Sequence, residues 1–457
     1  MSSIKFIHRR FLYHFIFLSL IFTACNKYLD DKSSSQLVIP QSLDDLQALM
    51  DRTTATNSSD PSALAVSSDE YYLADNDFSS LSSDYDKRKY QWDSAGLFPP
   101  GQGDWFNLYQ LVYIANTVIS DIGKIQHSTS NTDNWNNVNG QAYFYRGKAF
   151  YNVASIWSKT FDSTTMATDL GIPLRLDPDF NIPSKRSTLG ETYKQILSDL
   201  KQSAKYLPVA PLHPMRPSKG AAYGMLARVY LFMRDYGNAF KYADSALSIN
   251  STLIDFNTLD GTKIYPIAQF NTETIYYSSI SIPAILNISR AKIDSALYGL
   301  YDPDDLRRSI FFRNNTDGSH GFRGNYTAGL ALFGGISVNE LMLIHSEAAV
   351  RLGDNIAALN DLNRLLQSRW NNHISYTPFS SGDNKNILEK ILLERRKELL
   401  MRGLWWDDVK RLNKEGYNIT MKRTVLGNPL SLSPGSKRFV LPIPEDIIQL
   451  TGMPQNE

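Results

Sequence analysis

The chain has 457 residues and is 42% hydrophobic, so it can bury a substantial core and is not expected to be disordered. Its 47 Lys and Arg residues nearly balance its 46 Asp and Glu residues, which argues against a nucleic-acid-binding protein or a polybasic membrane surface. Aromatic residues make up 12% of the chain, and their side chains suit either a core or a recognition surface.

The first residues resemble a bacterial lipoprotein signal. Three basic residues precede the apolar run from Phe15 to Ala24, which is too short to cross a bilayer as a mature helix. Residues 22–25, FTAC, resemble a lipobox with Phe where Leu is usual, and Cys25 is the single cysteine. We therefore predict a signal peptide over residues 1–24 and a lipidated tether over residues 25–40, beginning at Cys25. An ordinary signal followed by a buried cysteine is the alternative.

Small and large side chains alternate between Leu226 and Asn250 in a way that is typical of two packed helices. This spacing resembles a tetratricopeptide repeat, and a second copy runs from Leu343 to Arg369. Weaker copies occur at residues 105–124 with 140–159 and at 188–207, where Ser187-Thr188 and Glu191 predict a capping box. The predicted fold is mostly α, a tetratricopeptide-like helical scaffold with long irregular loop insertions and a few short strands.

Two long insertions interrupt the helical pattern, at residues 51–102 and 250–335. Their many aromatic residues argue against disorder, and ETIYYSSISI in the second insertion is suited to short strands. Long loops inside a compact protein are usually functional. We predict one domain over residues 41–457, with an N-terminal helical-repeat part to about residue 250 and a loop-rich and C-terminal helical part over 251–457.

The segment from Glu394 to Asn413 is densely charged, and we interpret it as scaffold. On a helix, Glu398 lies one turn from both Glu394 and Arg402, so local ion pairs are expected. We expect Gly403 to end this helix and at least one Trp of the pair that follows it to lie in the core.

Motifs for catalysis and metal binding are missing from the sequence. The histidines are dispersed without an HExxH pattern, and neither a GxSxG elbow nor a Walker loop occurs. The segment from Asp75 to Asp86 alternates oxygen side chains like a calcium loop but lacks its central Gly. The sequence therefore predicts no enzyme, no metal and no cofactor, although it cannot show which carboxylates lie close enough for glycosidase chemistry.

Seven stretches in order resemble the SusD/RagB family of outer-membrane nutrient-binding lipoproteins across essentially the whole mature chain. They are ACNKYLDD, DWFNLYQLVYIANTVIS, GQAYFYRGKAFYNVASIW, KGAAYGMLARVYLF, NELMLIHSEAAVRLGD, the charged segment from Glu394 and RFVLPIPEDIIQL. The resemblance implies a binding protein that captures an oligosaccharide or peptide as the lid of a SusC-like TonB-dependent transporter. It also implies a lipid anchor in the outer membrane. Acidic residues after Cys25 resemble a signal for export to the exterior, and a solvated linker fits them nearly as well.

The family places its ligand on loops at one face, which points to the two insertions. Rings of Tyr85, Trp92, Tyr298 and Tyr301 are the expected stacking platforms, and the alternative is that they fill the core under their own loops. A secreted glycan hydrolase on the same scaffold and a repeat-based protein adaptor are the alternative functions. The predicted ligand-binding residues are Asp75, Asp77, Tyr85, Arg88, Trp92, Tyr298, Tyr301, Arg313 and Asn314.

Overall fold

The computed structural model describes residues 40–456. Residues from Leu43 onward form one compact unit. The predicted signal peptide, the lipidated Cys25 and nearly all of the predicted tether lie outside the described residues, so they and the domain boundaries stay predictions. In the described range, no helix combines the length and the apolar character needed to cross a membrane.

The fold is mostly helical, as the sequence predicts. The helices of the N-terminal part are α1 (Leu43–Met50), α2 (Thr53–Thr56), α3 (Ala63–Ser67), α4 (Asp75–Ser79), α5 (Asp84–Gln91), α6 (Asp104–Ile122), α7 (Thr132–Trp157), α8 (Leu189–Tyr206), α9 (Lys219–Met233) and α10 (Tyr236–Leu247). Among these, α7 packs against both α6 and α8.

Close packing of α7 on α8 depends on glycine. A Cβ atom at Gly140 would lie only 2.8 Å from the Leu207 side chain, and one at Gly147 would lie 3.0 Å from Leu200. The predicted capping box at the start of α8 is confirmed for Thr188, whose hydroxyl and backbone exchange hydrogen bonds with Glu191. These hydrogen bonds between side chains and the backbone satisfy amide N–H groups that have no partner within the first turn of the helix.

The C-terminal part is also helical, with the loop-rich insertion at its start. Its helices are α11 (Ser295–Tyr298), α12 (Arg307–Ile310), α13 (Val338–Arg351), α14 (Asn355–Arg369), α15 (Asn384–Glu398), α16 (Trp405–Asn413) and α17 (Glu445–Thr451). Among these, α13 packs against α14, α15 and the earlier α10.

Both predicted repeat copies form helical hairpins. Between α9 and α10, Arg234 has a left-handed φ of 63°, and the Asp235 side chain accepts a hydrogen bond that caps α10. Between α13 and α14, Gly353 has a φ of 89° and Asp354 caps α14. These turns reverse the chain within two residues and three residues, respectively, so consecutive helices pack side by side.

Short strands occur both inside and outside the insertions, and some of them join the two insertions to each other. Four of them form a sheet in the order β1-β6-β8-β7, which links the first insertion to the second, and the remaining strands form pairs β10-β4, β11-β12, β2-β3 and β5-β9. The strands are β1 (Tyr71–Tyr72), β2 (Leu170–Pro173), β3 (Arg186–Thr188), β4 (Thr274–Tyr276), β5 (Ser279–Ile280), β6 (Lys292–Ile293), β7 (Phe312–Asn314), β8 (His320–Phe322), β9 (Leu332–Phe333), β10 (Ile336–Ser337), β11 (Met421–Val425) and β12 (Asn428–Leu432).

The first insertion is more regular than predicted, because it contains the short helices α2 to α5. Helices of four to eight residues complete too few turns to show a 3.6-residue pattern in sequence. A separate apolar core lies under the two insertions and is built mostly from their own aromatic and aliphatic side chains, with Leu400, Met401 and Val425 from the C-terminal part. Its aromatic members are Tyr71, Phe78, Tyr90, Phe256, Tyr277, Tyr301, Phe311, Phe312, Phe322, Tyr326 and Phe333.

Candidate ligand-binding groove

Three adjoining clefts lie along the second insertion, and the central one is bounded on its other side by α15. The central cleft, of about 960 Å³, is lined by residues 299–308, residues 375–380 and the inner side of α15. A cleft of about 650 Å³, the Trp370 cleft, shares Trp370 and Tyr376 with it. A third of about 400 Å³, the Tyr298 cleft, shares Asp305 and Arg308 with the central cleft. We call the three together the groove.

A network of buried ion pairs forms the floor of the central cleft. The Arg307 guanidinium lies 2.6 Å from Asp305, 2.6 Å from Glu394 and 3.0 Å from Glu398. Lys397 lies 3.1 Å from both Asp305 and Glu394. Each buried charge therefore has a partner of opposite sign, as a low-dielectric site requires.

The same network fixes the protonation of the two buried carboxyls of the central cleft, Glu394 and Asp305. Burial alone would raise the pKa of Glu394 and Asp305, but the charges of Arg307 and Lys397 outweigh it and hold both pKa values below their ordinary range. Both groups are therefore ionised at neutral pH. A glycosidase needs one protonated carboxyl as its general acid, and neither of these can serve.

The expected pair of Glu398 with Arg402 is wrong, although local pairs do form between Glu394 and Lys397 and between Asp408 and Arg411. Glu398 pairs with Arg369 at 2.7 Å and with Arg307. Arg402 pairs instead with Glu340 at 2.9 Å, and Arg395 pairs with Asp408 at 2.8 Å. These side chains point into the protein, where their nearest partners come from other elements. Spacing along one helix does not reveal such partners.

The expected end of that helix is also wrong. α15 ends at Glu398, and the chain then turns through Met401 with a φ of 59° and Gly403 with a φ of 70°. Trp405 and Trp406 begin α16, and both rings are buried, which confirms the expectation that at least one is core.

Trp370 and Tyr376 form the aromatic wall between the central cleft and the Trp370 cleft. Their ring centroids lie 6.0 Å apart in an edge-to-face arrangement, and both side chains are half-buried. The Tyr376 hydroxyl donates to Asn363 at 2.7 Å, and burial raises the Tyr376 pKa to about 12, so it stays a neutral donor and acceptor. Exposed Arg364 and Asn372 line the Trp370 cleft. Ring faces beside polar groups suit a sugar.

The Tyr298 ring borders the third cleft, but its neighbours already use part of it. His320 stacks on the ring with centroids 3.5 Å apart, and the Arg308 guanidinium lies 5.0 Å from the ring centre. Arg308 Nε also donates to the Tyr298 hydroxyl at 3.0 Å. The predicted residues Arg313 and Asn314 are exposed and line the same cleft.

Two predicted platforms are buried, which corrects their expected exposure. Trp92 is 2% exposed, and its indole Nε1–H donates to Ser67 O at 2.8 Å while Arg423 packs over the ring. Tyr301 is also 2% exposed, and its hydroxyl donates to Lys397 O at 2.8 Å. Tyr301 fills the core under the insertions, whereas Trp92 packs into the main helical core, and the polar tip of each ring finds a backbone acceptor.

The other predicted residues of the first insertion lie on α4 and α5. Asp75 and Arg88 are exposed, and Tyr85 is half-buried. Asp77 pairs with Lys292 at 2.8 Å, so this contact and the pairing of β1 with β6 join the two insertions. These residues do not line any of the three clefts, whereas Tyr298, Arg313 and Asn314 do.

Sequence reasoning missed Trp370, Tyr376 and Arg308. The segment from Arg369 to Gly382, RWNNHISYTPFSSG, joins two helices and carries three aromatic residues among Asn, Ser and Pro. The composition that drew attention to the long insertions is present here too, in a shorter loop. Within residues 40–456, no group of three His, Cys, Asp or Glu side chains is placed to hold a metal ion.

Comparison with known proteins agrees with this fold. A SusD-like family described as "Starch-binding associating with outer membrane" matches residues 27–231. The N-terminal part of the chain, residues 27–231, is therefore SusD-like. A SusD-like protein of Formosa agariphila is 26% identical over 144 residues, which are 32% of this chain and 26% of that protein.

Two crystal structures show the same fold as this SusD-like chain. A SusD superfamily protein from Bacteroides thetaiotaomicron has a TM-score of 0.74 at 19% identity, covering 91% of this chain and 100% of that one. A SusD-like carbohydrate-binding protein from Bacteroides vulgatus has a TM-score of 0.67 at 18% identity, covering 90% and 97%. The likeness extends over both the helical scaffold and the insertions.

Proposed function

We propose that this SusD-like protein captures a glycan in the groove and delivers it to a SusC-like TonB-dependent transporter, of which it forms the lid. The observation that carries the proposal is the half-buried Trp370–Tyr376 pair, which separates two open clefts lined by hydrogen-bonding side chains. Sugar rings stack on such aromatic faces while their hydroxyls bind nearby amides and guanidinium groups.

The comparisons support a glycan over a peptide as the ligand. The matching family is described as starch-binding, and the similar Bacteroides vulgatus protein is described as carbohydrate-binding. Tyr298, Arg313 and Asn314 extend the proposed site at one end of the groove. Asp75, Asp77, Tyr85 and Arg88 form a second polar surface on the first insertion, where a long ligand would make further contacts.

The sequence supports a position on the outer membrane. The family description includes association with that membrane. The lipobox-like residues 22–25 and the polar tether after them would hold the protein there by acyl chains on Cys25, with the domain facing the exterior. An exterior position would let the groove meet glycans before the transporter does.

Hydrolysis of the glycan is the alternative that the groove argues against. The two carboxyls in the floor of the central cleft are ionised and fully engaged with Arg307 and Lys397. Chemistry of the glycosidase type would require one of them to carry a proton. Binding without turnover is therefore the function that this cleft supports.

Titration of the purified protein with a panel of glycans and peptides tests the proposal. We expect binding to a glycan without product release, and a loss of on the order of 1 to 3 kcal/mol in Trp370→Ala, the range found for stacked planar ligands. The matched control is Trp135→Ala, because Trp135 is also half-buried but lies on α7 away from the groove. Binding to peptides alone, release of products, or equal affinity of Trp370→Ala and wild type would contradict the proposal.

A further inference from the structure

Within the part of the chain that the structure describes, three arginines meet at the Tyr298 cleft without carboxylate partners. Arg308, Arg313 and Arg323 all line this cleft. Arg308 donates to the Tyr298 hydroxyl, and Arg313 donates to the Asn315 amide oxygen at 3.3 Å. Arg323 donates to backbone carbonyls of the surrounding loops. These acceptors are neutral, so hydrogen bonding satisfies part of each guanidinium but leaves its charge uncompensated.

Among residues 40–456, the one carboxylate that lines this cleft is engaged elsewhere. Asp305 is buried and lies 2.6 Å from Arg307 and 3.1 Å from Lys397, both of which belong to the floor of the central cleft. Its negative charge is therefore balanced by two cations outside the arginine cluster. The cleft carries a net positive charge within a concave surface, where low-dielectric walls strengthen the field.

The titration of neighbouring groups reflects this field. Burial and then the charge of Arg313 lower the pKa of Arg323, and burial and then the charge of Arg308 lower the pKa of His320. Both effects show cations held near one another. An anion placed between the arginines would offset the repulsion, and guanidinium groups bind carboxylate and sulfate oxygens with paired hydrogen bonds.

We infer that the Tyr298 cleft is an anion subsite, which binds a sulfate ester or uronate carboxylate of a glycan whose sugar rings lie in the adjoining central and Trp370 clefts. The inference rests on the proposed function, because it assumes that a glycan occupies the groove. It adds that the glycan is anionic. Clefts with shared lining residues let one chain run from the aromatic wall at Trp370 to the arginines.

Matched pairs of glycans test the inference. The probes are a sulfated galactan with its desulfated form, and polygalacturonate with its methyl ester, each titrated at low and high salt. We expect the charged member of at least one pair to bind about tenfold more tightly, with the advantage shrinking as salt rises. The sulfate and uronate arms identify which anion the subsite prefers.

A double variant locates the effect. Arg308→Gln with Arg313→Gln removes two charges from the cleft and leaves Arg323 to hold its loops. The control, Arg52→Gln with Arg438→Gln, removes the same charge from exposed positions that do not line the groove. We expect about a tenfold loss for the charged glycan in the first variant and none in the control. Arg313→Gln alone, at an exposed position, serves if the double variant does not fold, with about a threefold loss expected.

The outcomes separate the two claims. Equal binding of charged and neutral partners, or equal losses in both double variants, would overturn the anion subsite and leave glycan capture intact. Binding of acidic peptides without any glycan would overturn both claims. So would a wild type that binds none of the probes and no member of the wider glycan panel.

Discussion

The guanidinium of Arg369, the last residue of α14, lies 2.7 Å from the carboxylate of Glu398, the last residue of α15. Both side chains are fully buried. Arg369 also lies 2.8 Å from Glu273 in the second insertion, and Glu398 also pairs with Arg307 beneath the central cleft. The pair therefore connects two scaffold helices to the loops that form the groove.

Removal of Glu398 should destabilise the fold. Glu398→Ala would leave Arg369 and Arg307 with less negative charge in a buried site, and we expect a loss of roughly 3 to 5 kcal/mol in unfolding free energy. Arg395→Ala should act in the same direction because it removes one of the two buried arginines that pair with Asp408. The control on the same helix is Glu389→Ala, whose pairing with Lys385 is exposed. Unchanged chemical denaturation with abolished glycan binding would show that this network acts in recognition instead.

Trp92 and Trp370 should behave in opposite ways. Trp92→Ala opens a cavity in a buried site and should cost roughly 3 to 5 kcal/mol of stability, with glycan affinity unchanged in the folded fraction. Trp370→Ala should weaken glycan binding with a smaller effect on melting, because its ring is half-buried beside the clefts. Parallel melting and titration of the two variants checks the contrast. Weakened binding in a stable Trp92→Ala variant would restore Trp92 to the ligand site.

Glu70 should make stability depend on pH. Burial raises its pKa to about 7 in the folded protein, against an ordinary value of 4.5, although Ser68 and the Met401 amide donate to it. Between about pH 4.5 and pH 7, Glu70 is ionised in the unfolded chain but protonated in the folded protein. The unfolding free energy therefore falls as pH rises through this range. The contribution is complete below about pH 4.5 and is lost above about pH 7, and it amounts to on the order of 3 kcal/mol.

Glu70→Gln should remove this loss, because the amide resembles the protonated acid. The difference in unfolding free energy between variant and wild type should grow in favour of the variant from pH 4 to pH 8, as measured by chemical denaturation at each pH. The comparison cancels the titration of all other groups. A difference that does not change with pH would mean that Glu70 titrates alike in both states.

Lipidation should depend on Cys25. Cys25→Ala has no thiol to accept acyl chains, and the polar tether that follows cannot insert into a bilayer by itself. Metabolic labelling with a fatty acid should mark the wild type alone, and the variant should leave the membrane fraction. Label retained by the variant would refute the assignment.

The helical hairpins and the cap of α8 were predictable because their signals are local. Small residues where the helices approach and the Thr188–Glu191 pair all act within a few turns of chain. Burial in the insertions was not predictable, since the core that covers Tyr301 forms only when β1 pairs with β6, more than two hundred residues away. The same limit hid the partners of Glu398, because Arg307 lies 91 residues before it.

A crystal structure of the protein with the tightest glycan from the panel tests the central claim most directly. We predict sugar density against the Trp370–Tyr376 wall, with one ring packed on an aromatic face and hydroxyls within hydrogen-bond distance of the surrounding polar side chains. Continuous density toward Arg308 would extend the ligand through all three clefts. Density confined to the first insertion or to the helical hairpins, with the groove empty, would contradict the account.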